Sequence, residues 1–87
     1  MIDPAQIRAA RALLNISQSV LSQWASINVA TLKRIEGAAE IRGTANTIRK
    51  IQMALEAAGV EFIPEDSDRG PGVRLRRVEN NEALEVR

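Results

Sequence analysis

Residues 18–37, with the sequence QSVLSQWASINVATLKRIEG, decide the fold of this 87-residue chain. The first part of the stretch has apolar residues at spacings that fall on one face of a helix. These residues are Val20, Leu21, Trp24 and Ala25. Ser17 precedes them and has a side chain that favours an N-cap position. The pattern predicts a helix over residues 18–25, with Trp24 in the core or at its edge.

A second short helix is predicted over residues 28–36. Asn28 is suited to cap it, and Leu32 and Ile35 recur on the side that faces the first helix. Residues 25–27 form the turn between the two helices. Helices this short bury little surface alone, and so tight a link forces them to cross steeply. The second helix is therefore expected to stand out from the body of the domain, where it can enter a groove.

The segment ISQSVLSQWASINVATLKRIEG, residues 16–37, resembles the helix-turn-helix of the phage-repressor/Cro (XRE) family of transcriptional regulators. The shared pattern is a Ser-Gln that opens the first helix, an apolar-x-x-Ala pair before the turn, a polar cap and a Thr-Leu-Lys-Arg-Ile-Glu sequence. The resemblance extends over about residues 5–63. It implies a mainly α, compact four- to five-helix repressor-like domain, in which residues 18–25 are the scaffold helix and residues 28–36 the recognition helix.

Two features depart from the family pattern. Ser26 lies at a turn position where the family usually has glycine, so the turn must accommodate a Cβ atom or adopt different dihedral angles. Val29 and Ala30 lie at outward positions at the start of the second helix, where polar base-reading residues are common. This apolar leading turn leaves open whether the helix meets DNA or another protein.

The flanking sequence predicts two more helices, which complete a helical domain over residues 1–59. One starts at Asp3 and Pro4, because Asp is a favourable N-cap and Pro fits the first helical position. The other spans residues 44–59, from a Thr cap to a C-terminal Gly. The inward residues are expected to be Ile7, Ala10 and Leu14 in the first, and Ile48, Ile51, Leu55 and Ala58 in the last. The outward residues of the first are expected to be Arg8 and Arg11. The loop 37–43 has room for a short extra turn.

A β-hairpin is predicted over residues 60–78, since two short runs of strand formers flank a polar segment rich in Gly and Pro. Phe62 and Leu75 are expected to face inward. A two-stranded hairpin is marginal in water, so it is expected to pack on the helices or to pair its edge with a second protomer. Residues 79–87 form a tail, for which a frayed end and a short helix both fit the sequence.

The composition argues against several functions. The chain has no His and no Cys, and no glycine loop suited to phosphate, so we expect no enzyme activity, metal, cofactor or small-molecule ligand. The carboxylates expected on the surface, where water solvates them, are Glu36, Glu40, Asp66 and Asp68. With 2% aromatic residues, single-strand binding by base stacking is disfavoured. No signal peptide or membrane span is evident, and a cytoplasmic location is the expectation.

The resemblance places several residues against DNA. Gln18 occupies the position that commonly touches a DNA phosphate, although a surface Gln that improves the helix cap is an alternative interpretation. The base-edge candidates are Asn28, Val29, Ala30, Lys33 and Arg34. Arg34 suits bidentate contact with guanine, and Lys33 suits a phosphate. Val29 and Ala30 can offer only apolar contact, for example to a thymine methyl group. A solvated helix face is the alternative for the two basic residues.

Basic residues elsewhere have several candidate roles. Possible phosphate contacts beside the recognition helix are Arg42, Arg49 and Lys50, which would add affinity rather than specificity. The arginines of the hairpin are Arg74, Arg76 and Arg77. They are candidates for phosphate contacts, for pairing across a dimer or partner edge, or for preventing edge-to-edge aggregation.

Two main functions remain open from the sequence, and a third possibility is that the C-terminal hairpin recruits a partner protein by adding a strand while the helices bind DNA. The first is a dimeric transcriptional regulator that binds double-stranded DNA, most simply as a repressor. The second is an antiactivator or adaptor that uses the same fold to bind a transcriptional regulator protein. The net charge of +1 and the apolar leading turn of the second helix motivate this alternative.

Overall fold

A computed structural model describes residues 1–77 as four helices followed by an antiparallel hairpin, so the fold is mainly α. The helices are α1 (Pro4–Leu14), α2 (Gln18–Ala25), α3 (Val29–Gly37) and α4 (Ala45–Ala57), and the strands are β1 (Val60–Ile63) and β2 (Gly72–Leu75). The predicted helices and hairpin are confirmed. The optional turn in the loop 37–43 is not helical, and the tail 79–87 and Val78 lie outside the described residues. Within residues 1–77, no helix is long and apolar enough to cross a bilayer.

Each helix begins at a side chain that accepts a hydrogen bond from an otherwise unpaired backbone N–H group. The predicted N-caps Asp3, Ser17, Asn28 and Thr44 are all confirmed. At α1 the cap is reciprocal, because the Gln6 side chain also accepts from the Asp3 backbone N–H at 3.0 Å. α3 starts at Val29, directly after its predicted cap Asn28, and ends at Gly37, one residue beyond the predicted end.

The turn between α2 and α3 depends on Ser26, which adopts the left-handed conformation at φ 57° and ψ 47°. Its backbone N–H donates to the Gln23 carbonyl oxygen, and the next N–H, of Ile27, donates to Ser22. This 6→1 bond after a left-handed residue is the Schellman arrangement that ends helices. The turn therefore keeps the usual left-handed geometry and accommodates the Cβ atom of a serine.

Ser26→Gly is expected to raise the free energy of unfolding by about 0.5–1 kcal/mol. The left-handed conformation costs an L-residue about 1–2 kcal/mol, and the larger entropy that glycine has in the unfolded chain offsets part of that gain. Urea denaturation measures the change. The control is Ala12→Gly at an exposed site within α1. This variant is expected to lower the free energy of unfolding by about 1 kcal/mol. A loss of the same size at Ser26 would contradict this account of the turn.

The hydrophobic core lies between the helices and under the hairpin. Its fully buried large side chains are Ile7, Leu21, Leu32, Ile35, Ile48, Ile51, Leu55 and Val60. α2 packs on both α3 and α4, α1 packs on α3 and β2, and α4 packs on β1. The loop before α4 passes close to this core at Gly43, where an added Cβ atom would lie 3.4 Å from Ile35 Cδ1.

Trp24, predicted in the core or at its edge, and Leu75, predicted to face inward, are both nearly half exposed. Trp24 is 47% exposed because the inward side of α2 is centred on Leu21 and Ala25, and the indole lies at the flank of that side. Leu75 is 46% exposed. It pairs with the buried Val60 and so shares its face of the hairpin, but β2 carries it to the rim of the core. The prediction for Phe62 is confirmed, since it packs partly buried against the core.

The hairpin is joined to α1 through Gln6, which is 6% exposed. Its side-chain amide donates to the Gly72 carbonyl oxygen at 2.9 Å and, more weakly, to that of Ile63 at 3.4 Å. These two residues form the last pair of the strand ladder. The hairpin is therefore packed on the helices, which was one of the two predicted ways of stabilising it.

Candidate nucleic-acid interface

α3 is buried along one side and exposed along the other. Leu32 and Ile35 are fully buried, and Glu36 is 3% exposed. The outer side consists of the exposed residues Ala30, Lys33, Arg34 and Gly37, with Val29 and Thr31 half-buried beside them. The helix is thus held firmly by one side and presents two cations on the other.

The buried Glu36 is the centre of a partly buried polar cluster that joins the first three helices. We call it the Glu36 cluster (Arg8, Arg11, Gln18 and Glu36). The Glu36 carboxylate accepts two hydrogen bonds from Arg11, at 2.8 and 2.9 Å, and one from the Gln18 side-chain amide at 3.1 Å. Arg8 donates to the Glu36 backbone carbonyl oxygen. Because the donors come from α1 and α2, the cluster fixes the end of α3 against both helices.

The Glu36 cluster corrects two predictions. Arg11 is not turned outward: its side chain is 22% exposed, and its guanidinium pairs in a bidentate manner with Glu36. Glu36 is not solvated, because its side chain lies on the buried side of α3. The hydrogen bond to Glu36 raises the pKa of Arg11, and partial burial opposes this shift. The sequence contained a signal for this arrangement, since Leu32, Ile35 and Glu36 have the i, i+3, i+4 spacing of one helix face.

Gln18 lies half-buried at the start of α2, inside the Glu36 cluster. Its side-chain amide N–H donates to Glu36, so the side chain is oriented by a carboxylate that Arg11 also holds. Contact between Gln18 and a DNA phosphate stays a prediction. The other interpretation, a surface glutamine that improves the helix cap, does not describe its position, because the N-cap contact to the Val20 N–H comes from Ser17.

The predicted base-edge residues are brought together at the start and middle of α3. The Asn28 side-chain oxygen accepts a hydrogen bond from the Ala30 backbone N–H at 2.7 Å, in agreement with the predicted N-cap. The side chains of Lys33 and Arg34 form no hydrogen bond or ion pair with any other residue in the range 1–77. Both side chains are exposed, so their charges face solvent next to the small Ala30 side chain.

The predicted phosphate contacts lie in two places. Arg42 is exposed in the loop after α3, and Arg49 and Lys50 are exposed on the outer side of α4. α4 packs chiefly on α2 and β1 rather than on α3, and contact of its two cations with DNA phosphates stays a prediction. Their charge nevertheless adds to the positive field, because residues 1–77 carry eleven Lys and Arg against eight Asp and Glu.

The hairpin arginines have partners within the chain. Arg74 forms a bidentate ion pair with Glu61, directly opposite on β1, at 3.0 and 3.1 Å. This pairing lowers the pKa of Glu61 and raises that of Arg74. Arg76 donates to the Glu56 backbone carbonyl oxygen near the end of α4. Arg77 is exposed.

The carboxylates of the described residues do not assemble into a metal site: no group of three or more potential ligands occurs among residues 1–77. Asp66 instead orders the loop between the strands, where its side chain accepts from the backbone N–H groups of Asp68 and Arg69, both at 2.8 Å. Glu40 is exposed in the loop after α3.

Comparison of the sequence with protein-family models gives no match, and neither does comparison with curated proteins.

Proposed function

We propose that this chain is a small helix-turn-helix transcriptional regulator that binds double-stranded DNA through α3 and represses by occupying a promoter. The observation that carries the proposal is the two-sided character of α3. Leu32, Ile35 and Glu36 anchor the helix through its buried side. Lys33 and Arg34 extend from its exposed side. A rigid helix with free cations on its outer side matches what the major groove accepts.

The size of α3 suits this role. Nine residues give a helix about 13 Å long, and the major groove is about 12 Å wide. Ala30 has a short side chain, so the backbone of the first turn can approach the base edges closely. Arg34 lies one turn later on the same side and reaches a neighbouring base pair. Ala30 and Val29 offer methyl groups, which suit the methyl group of thymine.

Arg34→Ala is expected to cost about 1–3 kcal/mol of affinity for the preferred duplex and to relax the sequence preference at one base pair. The physical reason is the loss of two parallel N–H donors to the guanine O6 and N7 atoms. Titration of the preferred duplex and of single-base variants measures both effects.

Two controls separate base contact from simple charge. Lys33→Ala is expected to weaken every duplex alike and to reduce the dependence of log affinity on log salt by about one. Arg69→Ala removes the same charge from the loop between the strands and is expected to leave the sequence preference unchanged. Equal losses on all duplexes for Arg34→Ala would show that Arg34 contacts phosphate only.

By analogy with the resembled family, two protomers bind successive major grooves about 34 Å apart. Each protomer then reads one half of a palindromic operator with its own α3. In this arrangement the Glu36 cluster keeps the angle between α3 and the two preceding helices constant while the outer side of α3 contacts DNA.

One observation favours a second candidate, an adaptor that binds a transcriptional regulator protein. Trp24 is 47% exposed in the last turn of α2, shortly before the apolar start of α3 at Val29 and Ala30. Exposed aromatic rings are typical of protein interfaces. If the chain shows no affinity for any duplex, and binds a purified regulator in a manner abolished by Val29→Glu and Trp24→Ala, this second function replaces the first.

A further inference from the structure

An open groove runs between the N-terminal segment, α4 and the hairpin. It consists of two adjoining clefts, of about 440 and 340 Å³, which share Met1 and Gln52 as lining residues. The first cleft reaches the start of α1 and Phe62 on β1, and the second follows α4 from Ala45 to Glu56. This part of α4 is about 16 Å long. We call the two clefts together the α4 groove; within residues 1–77, no residue of α2 or α3 lines it.

The walls of the α4 groove carry large apolar side chains that are open to solvent. Met1 is 80% exposed and Met53 is 60% exposed, and both methionines of the chain line the second cleft. Phe62 and Pro64 line the first cleft. Methionine is flexible and polarisable, so it adapts to apolar partners of different shape. Apolar side chains that are clustered in this way and rimmed by polar groups are typical of protein-binding grooves.

The rim of the α4 groove is acidic in a chain that is otherwise basic. Among the described residues, its charged side chains are Asp3, Glu56, Glu65 and Arg49. Three carboxylates thus face one guanidinium, whereas residues 1–77 as a whole carry eleven Lys and Arg against eight Asp and Glu. The groove therefore disfavours phosphate groups, whether of DNA or of an anionic membrane, and favours a partner that carries cations.

The carboxylates of this rim are available to such a partner. Asp3 accepts a hydrogen bond from the Gln6 backbone N–H at 2.8 Å, and Glu56 accepts one from the Gln52 side-chain amide at 3.0 Å. Both donors are neutral, and within residues 1–77 neither carboxylate forms an ion pair. The Arg76 guanidinium lies beside Glu56 but donates to its backbone carbonyl oxygen, at 3.2 and 3.4 Å. Each carboxylate therefore keeps lone pairs for a further cation.

We propose that the α4 groove binds a helix of a partner protein whose apolar stripe is flanked by Lys or Arg. In helix-in-groove recognition, apolar residues at positions i, i+4 and i+7 project from one side of the bound helix. They span about 10.5 Å, which is shorter than the groove, so they can enter both clefts. The cations beside the stripe then meet the carboxylates of Asp3, Glu56 and Glu65.

This docking does not depend on DNA binding by α3. Because α3 contributes no lining residue, a partner in the α4 groove does not need the side chains of Lys33 and Arg34. If the proposed function holds, the chain can therefore hold a partner protein at a promoter while α3 contacts the bases.

The first test is a titration of the isotopically labelled full chain with a synthetic, end-capped peptide of about four helical turns. This lysine peptide has leucines at i, i+4 and i+7, lysines on both sides of that stripe and alanines elsewhere. The expected result is a change of amide chemical shifts at residues 1–6, 45–56 and 62–65, with little change at 18–37. A glutamate peptide, with every Lys replaced by Glu, is expected to bind about tenfold more weakly, because three attractive charge pairs become repulsive.

Two pairs of variants assign this binding to the groove. Glu65→Lys is expected to weaken binding of the lysine peptide and to strengthen binding of the glutamate peptide. Glu40→Lys makes the same change at an exposed site outside the groove and is expected to affect neither. Met53→Asn is expected to weaken binding of the lysine peptide about tenfold, because apolar contact is lost. Leu13→Asn, at an exposed apolar side chain of α1, is its control and is expected to leave that affinity unchanged.

Several results would overturn the proposal. These are shift changes centred on α3, equal affinity for the two peptides, or no binding of the lysine peptide at about 1 mM. Equal losses of affinity in Glu65→Lys and Glu40→Lys would do the same. Concentration-dependent shifts of the groove residues without peptide would identify a second copy of the chain, rather than a partner helix, as the occupant.

Titration with a duplex separates this docking from the proposed function. Met53→Asn is expected to keep the DNA affinity of the unmodified chain, and Arg34→Ala is expected to keep its affinity for the lysine peptide. If no variant binds DNA but the peptide binds in the α4 groove, the proposed function fails and the docking stands. If the chain binds DNA and the peptide does not bind in the groove, the docking fails and the function stands.

Discussion

Glu36→Ala is expected to lower the free energy of unfolding by about 3–5 kcal/mol. The substitution removes a carboxylate that is 3% exposed and accepts hydrogen bonds from Arg11 and Gln18. Arg11 would be left partly buried without its counter-charge, and the Gln18 amide would lose its acceptor. Since domains of this size have about 5–15 kcal/mol of stability, the loss is a large part of the total. Urea denaturation followed by circular dichroism measures it.

The large loss of stability in Glu36→Ala is attributed to the Arg11 charge, which is left without a counter-charge. Two further variants test this explanation. Arg11→Met with Glu36→Leu replaces the pair by apolar side chains, and it is expected to recover most of the stability lost in Glu36→Ala. Glu40→Ala removes an exposed glutamate four residues later and is expected to change stability by less than about 0.5 kcal/mol. A Glu36→Ala variant as stable as Glu40→Ala would mean that the Glu36 cluster does not hold α3.

Leu32→Ala is expected to destabilise the chain by about 2–5 kcal/mol. Leu32 is fully buried on the inner side of α3, so the substitution loses the transfer free energy of the removed atoms and leaves a cavity. For a domain of this length, each kcal/mol corresponds to about 4–8 °C in Tm. The thermal unfolding midpoint is therefore expected to fall by at least about 8 °C.

Leu13→Ala is the matched control for this prediction. It makes the same change of side chain on α1, where Leu13 is already 44% exposed. The expected loss of unfolding free energy is therefore less than about 1 kcal/mol. Leu32→Met nearly conserves the side-chain volume and is expected to lower the free energy of unfolding by less than about 1.5 kcal/mol. It allows position 32 to be tested if the Ala variant does not fold. Equal losses at positions 13 and 32 would contradict the account of α3 as a helix anchored through its inner side.

The elements of the fold were predictable because their signals are local. An N-cap such as Ser17 or Thr44 acts on backbone groups two or three residues away, and apolar spacing defines the inner side of each helix within a few turns. The same holds for the turn, where the only open question was whether Ser26 would adopt the left-handed conformation. Local chemistry of this kind is present in the sequence itself.

The polar contacts were not predictable because their partners are distant in the sequence. Arg11 and Glu36 are 25 residues apart, and Gln6 reaches carbonyl groups 57 and 66 residues away. Nothing in the local sequence of Gln6 distinguishes it from an exposed helix residue. Glu36 is different, since its spacing from Leu32 and Ile35 already placed it on the inner side, and its charge alone led to the wrong prediction of solvation.

The candidate site could be predicted only in part for the same reason. The exposure of Lys33 and Arg34 follows from the helix period, because Leu32 and Ile35 determine which side is buried. The position of Arg49 and Lys50 relative to α3 depends on how α4 packs, which the local sequence does not determine. Trp24 shows the limit of the apolar pattern: a helix of eight residues buries a narrow arc, and a large ring at its edge remains exposed.

The most direct test of the central claim, that the outer side of α3 binds double-stranded DNA, is a mobility-shift titration of the purified full chain. A random duplex and the DNA upstream of its own coding sequence are titrated at roughly 50 mM and 200 mM salt. With about four phosphate contacts, affinity is expected to fall roughly 10²-fold from the lower to the higher salt concentration. Arg34→Ala is expected to lose more affinity for the preferred sequence than for the random duplex. Absence of a salt-dependent shift with every duplex at the lower salt concentration would contradict the claim.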